Sequence, residues 1–491
     1  MKKLLYIILI SGFILSSCQD YLNIKPQNIK SLATLNDIKD AVSSFRYGLT
    51  AKRTGWFAPN LNFNQQYLYF PLSVELTTNL MFYSDNLEYS EVQKAQVAWS
   101  SYKSEYFKSN DWKNIELSNV IWDNCYKNIG FCNTLLDELY KISNKKTDSY
   151  KEVFCEIITF RAYMYQMLAR FFCPNEGKEY GLPISTSSEQ MEGIERSSQL
   201  ETYKFIIDEL KSVEKLNFYA SEWNTFYSKK ILKAILAKTY WLKAHSCAKE
   251  TNDWNICLNY SKNVLESRSL LNNKNDLNEL FSGGTSMGIQ KNNAYALLII
   301  RNKQNNKGNI YAPWGFDKDL SPNSKLLSLF DSEDIRKDVY FTSTQGINKW
   351  KQNFDVSNIC PLWRIAEYKL LEAESYLEIG QTANAQKSLN EFKASRIKNY
   401  SNKTFSNLKE EIYKERRKEF CFELGYRWTD LKVLGKGFSR VAIIENTSSS
   451  GNEKGTFTLE DNDYRFTLPL PANSELKFNK QISQNPSWTV L

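Results

Sequence analysis

Apolar residues recur along most of the chain at steps of three and four, the period of a helix with one buried face. Between Val120 and Leu139 the positions Ile121, Trp122, Cys125, Ile129, Cys132, Leu135, Leu136 and Leu139 form one continuous stripe. Lys151 to Phe172 repeats the pattern with Phe154, Ile157, Ile158, Ala162, Tyr165 and Leu168, and Pro174 and Gly177 mark its stop. The same period predicts helices over Asn36–Leu49, Leu200–Leu216, Ser228–Ala248, Trp254–Ser267, Leu362–Ile379, Ala383–Lys398 and Leu408–Gly425. Helices that cannot bury a face alone must stack in pairs, as tetratricopeptide repeats do, although no strict period of about 34 residues is present.

Two stretches break this rhythm, and each mixes aromatic rings with Asn and Gln. Residues 50–118 hold Trp56, Gln65, Gln66, Tyr67, Tyr69, Asn79, Tyr83, Asp85 and Asn86, while residues 272–360 hold Tyr311, Trp314 and Trp350 around a β-like run at Tyr295–Ile300. Long irregular segments in a folded protein are usually functional surfaces. A strand signal at Tyr464–Leu468, followed by Pro469, Pro471 and Pro486, predicts an extended tail laid over the body.

The first residues, MKKLLYIILISGFILSSC, have a basic pair, an apolar run too short for a stable membrane span and small residues at the end. This is an export signal over residues 1–17. Leu15-Ser16-Ser17-Cys18 resembles a bacterial lipobox, which would make Cys18 the lipidated first residue of the mature chain and residues 18–35 an anchor and tether. The eight other cysteines include no CxxC and fall largely on apolar helical faces, so they read as mostly unpaired buried thiols.

Composition narrows the chemistry. The formal net charge of +8 is thin over 491 residues, and two of those charges lie in the leader, so no nucleic-acid partner is expected. One histidine, His245, rules out multi-histidine metal centres within the chain and leaves a single imidazole, read as a helix-face residue. No spacing suggests a metal site or a cofactor. Gly435-Lys436-Gly437 and Gly283-Gly284 lack the strand-to-helix setting of a phosphate loop and read as turns.

Several motifs together resemble one family. They are CQDYLNIKP from Cys18; FRAYMY from Phe160; Arg364 to Glu367 with Glu372-Ala373-Glu374; ERRKEF from Glu415, running on through Glu423, Gly425, Arg427, Trp428 and Asp430; and the closing LPLP from Leu468 with Glu475, Asn479 and Gln484-Asn485-Pro486. In that order, and across nearly the whole chain, they resemble the SusD/RagB family of Bacteroidetes surface lipoproteins. Phe420-Cys421-Phe422 and Gly425-Tyr426 depart from its usual pattern, which we read as changes of packing.

The resemblance implies a mainly α fold: a tetratricopeptide-like scaffold with little β structure, formed as a single domain over 36–491. It further implies a lipid-anchored, surface-exposed outer-membrane protein that binds oligosaccharide or peptide and acts as a lid on a SusC-like TonB-dependent transporter. Such a protein is not an enzyme, so no catalytic residue is expected.

The residues support glycan capture in their own terms. A sugar ring offers a C–H face for aromatic stacking and a rim of hydroxyls for amides and carboxylates. On that ground the expected ligand residues are Trp56, Tyr67, Tyr69, Asn79, Tyr83, Asp85, Tyr311, Trp314 and Trp350. Glu415, Glu419 and Glu423, spaced by four beside Arg416 and Arg417 on a helix that the motif extends over Glu415–Leu434, read as lateral ion pairs on one helix or with a neighbour, as do Arg161, Arg364 and Glu367. Peptide capture, a helical adaptor, and a glycosidase with two carboxylates roughly 5 to 9 Å apart remain the alternatives.

Overall fold

The computed structural model describes residues 32–50, 80, 84–88, 117–189, 193–218, 228–282, 288–290, 296–302, 321–341, 358–447, 451–472 and 474–488. In chain order the elements are α1 (Leu35–Thr50), β1 (Leu87–Glu88), α2 (Leu117–Lys141), α3 (Asp148–Phe172), α4 (Gln199–Glu214), α5 (Lys229–Ala244), α6 (Asp253–Leu265) and α7 (Lys274–Ser282). Then come β2 (Gly288–Gln290), β3 (Ala296–Asn302), β4 (Ser321–Pro322), β5 (Asn358–Arg364), α8 (Ile365–Glu378), α9 (Thr382–Ala394), α10 (Leu408–Phe420), α11 (Tyr426–Leu434), β6 (Phe438–Thr447) and β7 (Gly451–Leu459). The expected mainly helical, tetratricopeptide-like architecture is what the chain adopts.

The apolar stripes explain the packing. Every named position of the α2 stripe is buried against the common core. Neighbours then stack in series: α2 on α3, α3 on α4, α5 on α6, α6 on α8 and α8 on α9. Helix α3 is enclosed almost all round from Glu152 to Phe172, so its polar groups need internal partners. Arg161 reaches Glu209 Oε2 and Asn133 Oδ1, and Gln166 donates to Ile235 O and Thr239 Oγ1. Starts are capped where the sequence permits: Thr147 accepts from Tyr150 N, and Ser198 with Glu201 forms a reciprocal capping box.

Three sequence expectations change. The run from Glu415 to Leu434 is two helices, because Phe422, Leu424 and Gly425 take positive φ of 64°, 40° and 66° and turn the chain between α10 and α11. Gly425 suits this turn doubly, since a Cβ there would lie 2.4 Å from Leu80 Cδ1. Tyr464–Phe466 is a 3-10 turn instead of a strand: Asp463 accepts from Arg465 N at 2.9 Å and pairs with its guanidinium at 2.6 Å, a local closure that outcompetes extension. The β6–β7 hairpin was not anticipated; its register shifts between Ile443 and Glu445. The β-like run does become β3, the middle strand of the antiparallel sheet β2-β3-β5.

A buried charge network locks the carboxyl-terminal half. Glu419 receives Arg396 Nε at 2.9 Å and Arg336 Nη1 at 3.2 Å, and Arg364 Nη2 as well. Arg364 also binds Glu423 at 2.7 Å, and Arg336 binds both Glu415 at 2.8 Å and Asp334 at 2.6 Å. Lys393 and Lys418 complete the shell of Glu415 at 2.9 and 2.6 Å. Burial alone would raise the carboxyl pKa values of Glu415 and Glu419, but the surrounding cations outweigh it and hold both well below the usual range. The expected partners Arg416 and Arg417 do not serve these glutamates. Arg416 pairs with Asp430 at 2.8 Å, and Arg417 turns to residues 85 and 86.

Because removing one member of a buried set leaves its partners charged and unpaired, Glu419→Ala is expected to cost about 3–5 kcal/mol of stability. Urea unfolding followed by circular dichroism measures it; a loss under about 1 kcal/mol would show that water or rearrangement compensates the three arginines.

Candidate ligand-binding site

The two irregular segments meet in a small sheet, through residues more than two hundred positions apart in sequence. Leu87 of β1 pairs with Pro322 of β4 and Glu88 with Ser321, antiparallel, and Asn323 N donates to Asn86 O at 2.8 Å. A two-residue ladder has little stability of its own, so something else must hold it. Arginines of α10 and α11 do. Arg427 grips the Asp85 carboxylate with Nε at 2.6 Å and Nη2 at 2.7 Å, while Arg417 donates to Asp85 O at 2.7 Å and Asn86 Oδ1 at 3.1 Å.

The clamp has a clear electrostatic signature. Burial would raise the pKa of Asp85, yet the two guanidiniums overcome it and hold the carboxyl well below the usual range. For Arg417 burial dominates, with Arg427 adding to it against the attraction of Asp85, and its pKa falls to about 10. Five residues upstream, buried Leu80 packs on Gly425 at the turn that leads into α11. Residues 80 and 85–86, in the middle of the first aromatic segment, are thus fixed to the α10–α11 junction, and residues 321–323 of the second segment pair with the first.

Of the expected ligand residues, only Asp85 lies within the described residues, and its carboxylate is engaged by Arg427 and Arg417. Trp56, Tyr67, Tyr69, Asn79, Tyr83, Tyr311, Trp314 and Trp350, and the lipidation residue Cys18, lie outside them. Sequence reasoning missed Arg427 as the anchor of Asp85. Its only signal was its place in the motif, because a pair 342 residues apart leaves no local spacing.

Two family models match the chain. One, described as "Starch-binding associating with outer membrane", covers residues 64–241, and the other, "SusD family", covers residues 335–488. The chain belongs to the SusD family. Among solved structures, a SusD superfamily protein from Parabacteroides distasonis is 16% identical with a TM-score of 0.66, over 94% of this chain and 100% of that one. One from Bacteroides thetaiotaomicron is 18% identical with a TM-score of 0.65, over 92% and 100%. A SusD-like carbohydrate binding protein from Bacteroides vulgatus is 15% identical with a TM-score of 0.63, over 92% and 97%. No curated protein matches the sequence.

Among the described residues of this SusD fold, Glu374, His245 and Glu367 are built into the scaffold. Glu374 is fully buried and accepts from Trp241 Nε1 at 2.7 Å, Tyr413 OH at 2.7 Å and His245 Nε2 at 2.9 Å. His245 itself closes α5 and lies edge-on to Trp241 and Trp254. Glu367 binds Lys238 at 2.7 Å and accepts from Tyr426 OH at 2.8 Å. Of the seven cysteines whose side chains are described, six are buried. Among the described residues no group of three or more His, Cys, Asp or Glu side chains could hold a metal ion.

Two predictions follow from these contacts. Arg427→Ala should speed amide hydrogen exchange at residues 84–88, 321 and 323 at least about tenfold while leaving α2 and α3 protected; unchanged exchange there would mean that the arginine does not hold the sheet. The second concerns acid. Burial raises the pKa of Glu374, but His245, Arg416 and Tyr413 together bring it from 4.5 down to about 2. A depressed carboxyl contributes stability above its unfolded value and loses it as pH falls through the folded one. Thermal stability should therefore fall as pH drops from 4.5 to about 2, and Glu374→Gln should flatten that limb while lowering stability at neutral pH.

Proposed function

We propose that this SusD-family chain is a lipid-anchored, surface-exposed outer-membrane protein that captures an oligosaccharide and delivers it, as a lid, to a SusC-like TonB-dependent transporter. The observation that carries the reading is the β1–β4 junction. It fastens together the two segments of the chain that combine aromatic rings with amides, and it seats both on a rigid, ion-paired scaffold. Chain connectivity keeps Tyr83 beside Ser84, and Trp314 seven residues from Ser321. Residues from both segments can therefore serve one ligand. The glycan class of ligand is further supported by the carbohydrate-binding name of the Bacteroides vulgatus relative.

Capture of this kind needs no covalent step. Aromatic faces stack on the C–H faces of sugar rings, and side-chain amides and carboxylates take the hydroxyls. Attachment through Cys18 confines the protein to the membrane plane, where the transporter lies, so weak individual contacts gain from a high effective concentration.

The test is isothermal titration of the protein beginning after Cys18 with plant and host polysaccharides, mucin O-glycans and peptide mixtures, together with product analysis. Binding to one glycan class without cleavage, weakened about tenfold or more by Trp314→Ala or Tyr83→Ala, is the expected result. Cleaved sugar would establish a glycosidase, and heat from peptides alone would establish peptide capture.

A further inference from the structure

A concave site is built from the scaffold and the tail. A cleft of about 460 Å³ opens between the turn after α3, the end of α11, the 3-10 turn and the carboxyl-terminal tail, and no described residue of 50–118 or 272–360 lines it. Its volume falls within the range of small-molecule sites.

Its walls are fixed before any ligand arrives. Gln199 Nε2 donates to Pro174 O at 2.8 Å and Gly177 O at 2.9 Å, and Tyr180 N donates to Gly177 O at 3.2 Å. On the opposite side Asn485 Nδ2 bonds Phe172 O and Leu468 O, and Asp463 is tied to Arg465. A pre-ordered wall spares a ligand the entropy of organising it.

The lining combines one exposed ring and one half-buried ring with exposed polar groups. Tyr464 is 41% exposed, yet it is held edge-on by buried Trp488 at 5.1 Å and 78°. Tyr180 is braced by the Arg196 guanidinium 5.1 Å from its ring. Glu176 and Glu179 are exposed and make no hydrogen bond or ion pair among the described residues, and Asn462 is exposed beside them in the lining. The one lysine of the lining, Lys432, is occupied by Arg170 O at 2.8 Å and Cys173 O at 2.6 Å.

These groups suit a neutral polyol. Free carboxylates accept hydroxyl protons and repel an anion, while a fixed exposed tyrosine offers a flat apolar face. We propose that this cleft is a second saccharide-binding site, taking one or two neutral sugar units with Tyr464 as the stacking platform and Glu176 and Glu179 as hydroxyl acceptors. The proposal rests on the glycan-capture reading for its ligand class, and on none of that reading's residues.

The test is isothermal titration and saturation-transfer NMR of the purified full chain with maltohexaose, cellohexaose, xylohexaose and chitohexaose. We expect one of these to show a component that Tyr464→Ala weakens about tenfold, that Tyr464→Phe retains, and that Trp314→Ala leaves unchanged. Glu176→Gln with Glu179→Gln supplies an independent variant should Tyr464→Ala unfold, and it should weaken the same component. Saccharide binding unmoved by either change overturns the second site and leaves glycan capture standing. No saccharide binding at all overturns both. Binding of trilysine in place of sugar, abolished by the double glutamine change, overturns the saccharide assignment.

Discussion

The Glu419 carboxylate, enclosed by Arg336, Arg364 and Arg396, is the contact on which the rest of the carboxyl-terminal half depends. Each arginine comes from a different place: the turn after residue 334, the end of β5 and the end of α9. One buried anion thereby sets the distances between three chain segments and α10. A set of charges this deep has no competing arrangement with the same partners, so α10 has one seat on the scaffold.

That fixed seat matters because α10 carries arginines on more than one side. Where Glu415, Glu419 and Glu423 face inward, Arg416 binds Asp430 and Arg417 reaches out to Asp85 and Asn86. Helix α11, turned by the left-handed residues 422–425, adds Arg427 to the same carboxylate. The scaffold thus ends in a two-arginine grip on the edge of the loop region. The rigid body holds residues 85 and 86 of the first variable segment through backbone, amide and carboxylate contacts.

The far end of α11 meets different surroundings. Lys432 there donates to carbonyl oxygens of α3 and its cap, and burial lowers its pKa to about 8. The chain around it is closed by the tail, where Leu468 N bonds Phe171 O and the Asn485 amide bonds Phe172 O and Leu468 O. The tail therefore completes the core and also walls the cleft beside it, so the same short segment serves stability and surface shape.

The sequence alone determined the helices, because a stripe such as Ile121 to Leu139 is a local periodic property that only one backbone period can bury. It also determined the class of the protein through motifs that lie in order along the chain, and the buried, unpaired character of cysteines such as Cys125 and Cys132 on those stripes. The spacing of Glu415, Glu419 and Glu423 disclosed that ion pairs form, but not with whom. Only the tertiary structure decided the partners, because Arg364 and Arg396 approach from segments that sequence distance does not rank. It alone placed Asp85 under Arg427, broke the long helix at Gly425, closed residues 464–466 into a turn and joined residue 87 to residue 322. In each case the deciding contact is non-local or lies in side-chain geometry, and neither leaves a period in the sequence to read.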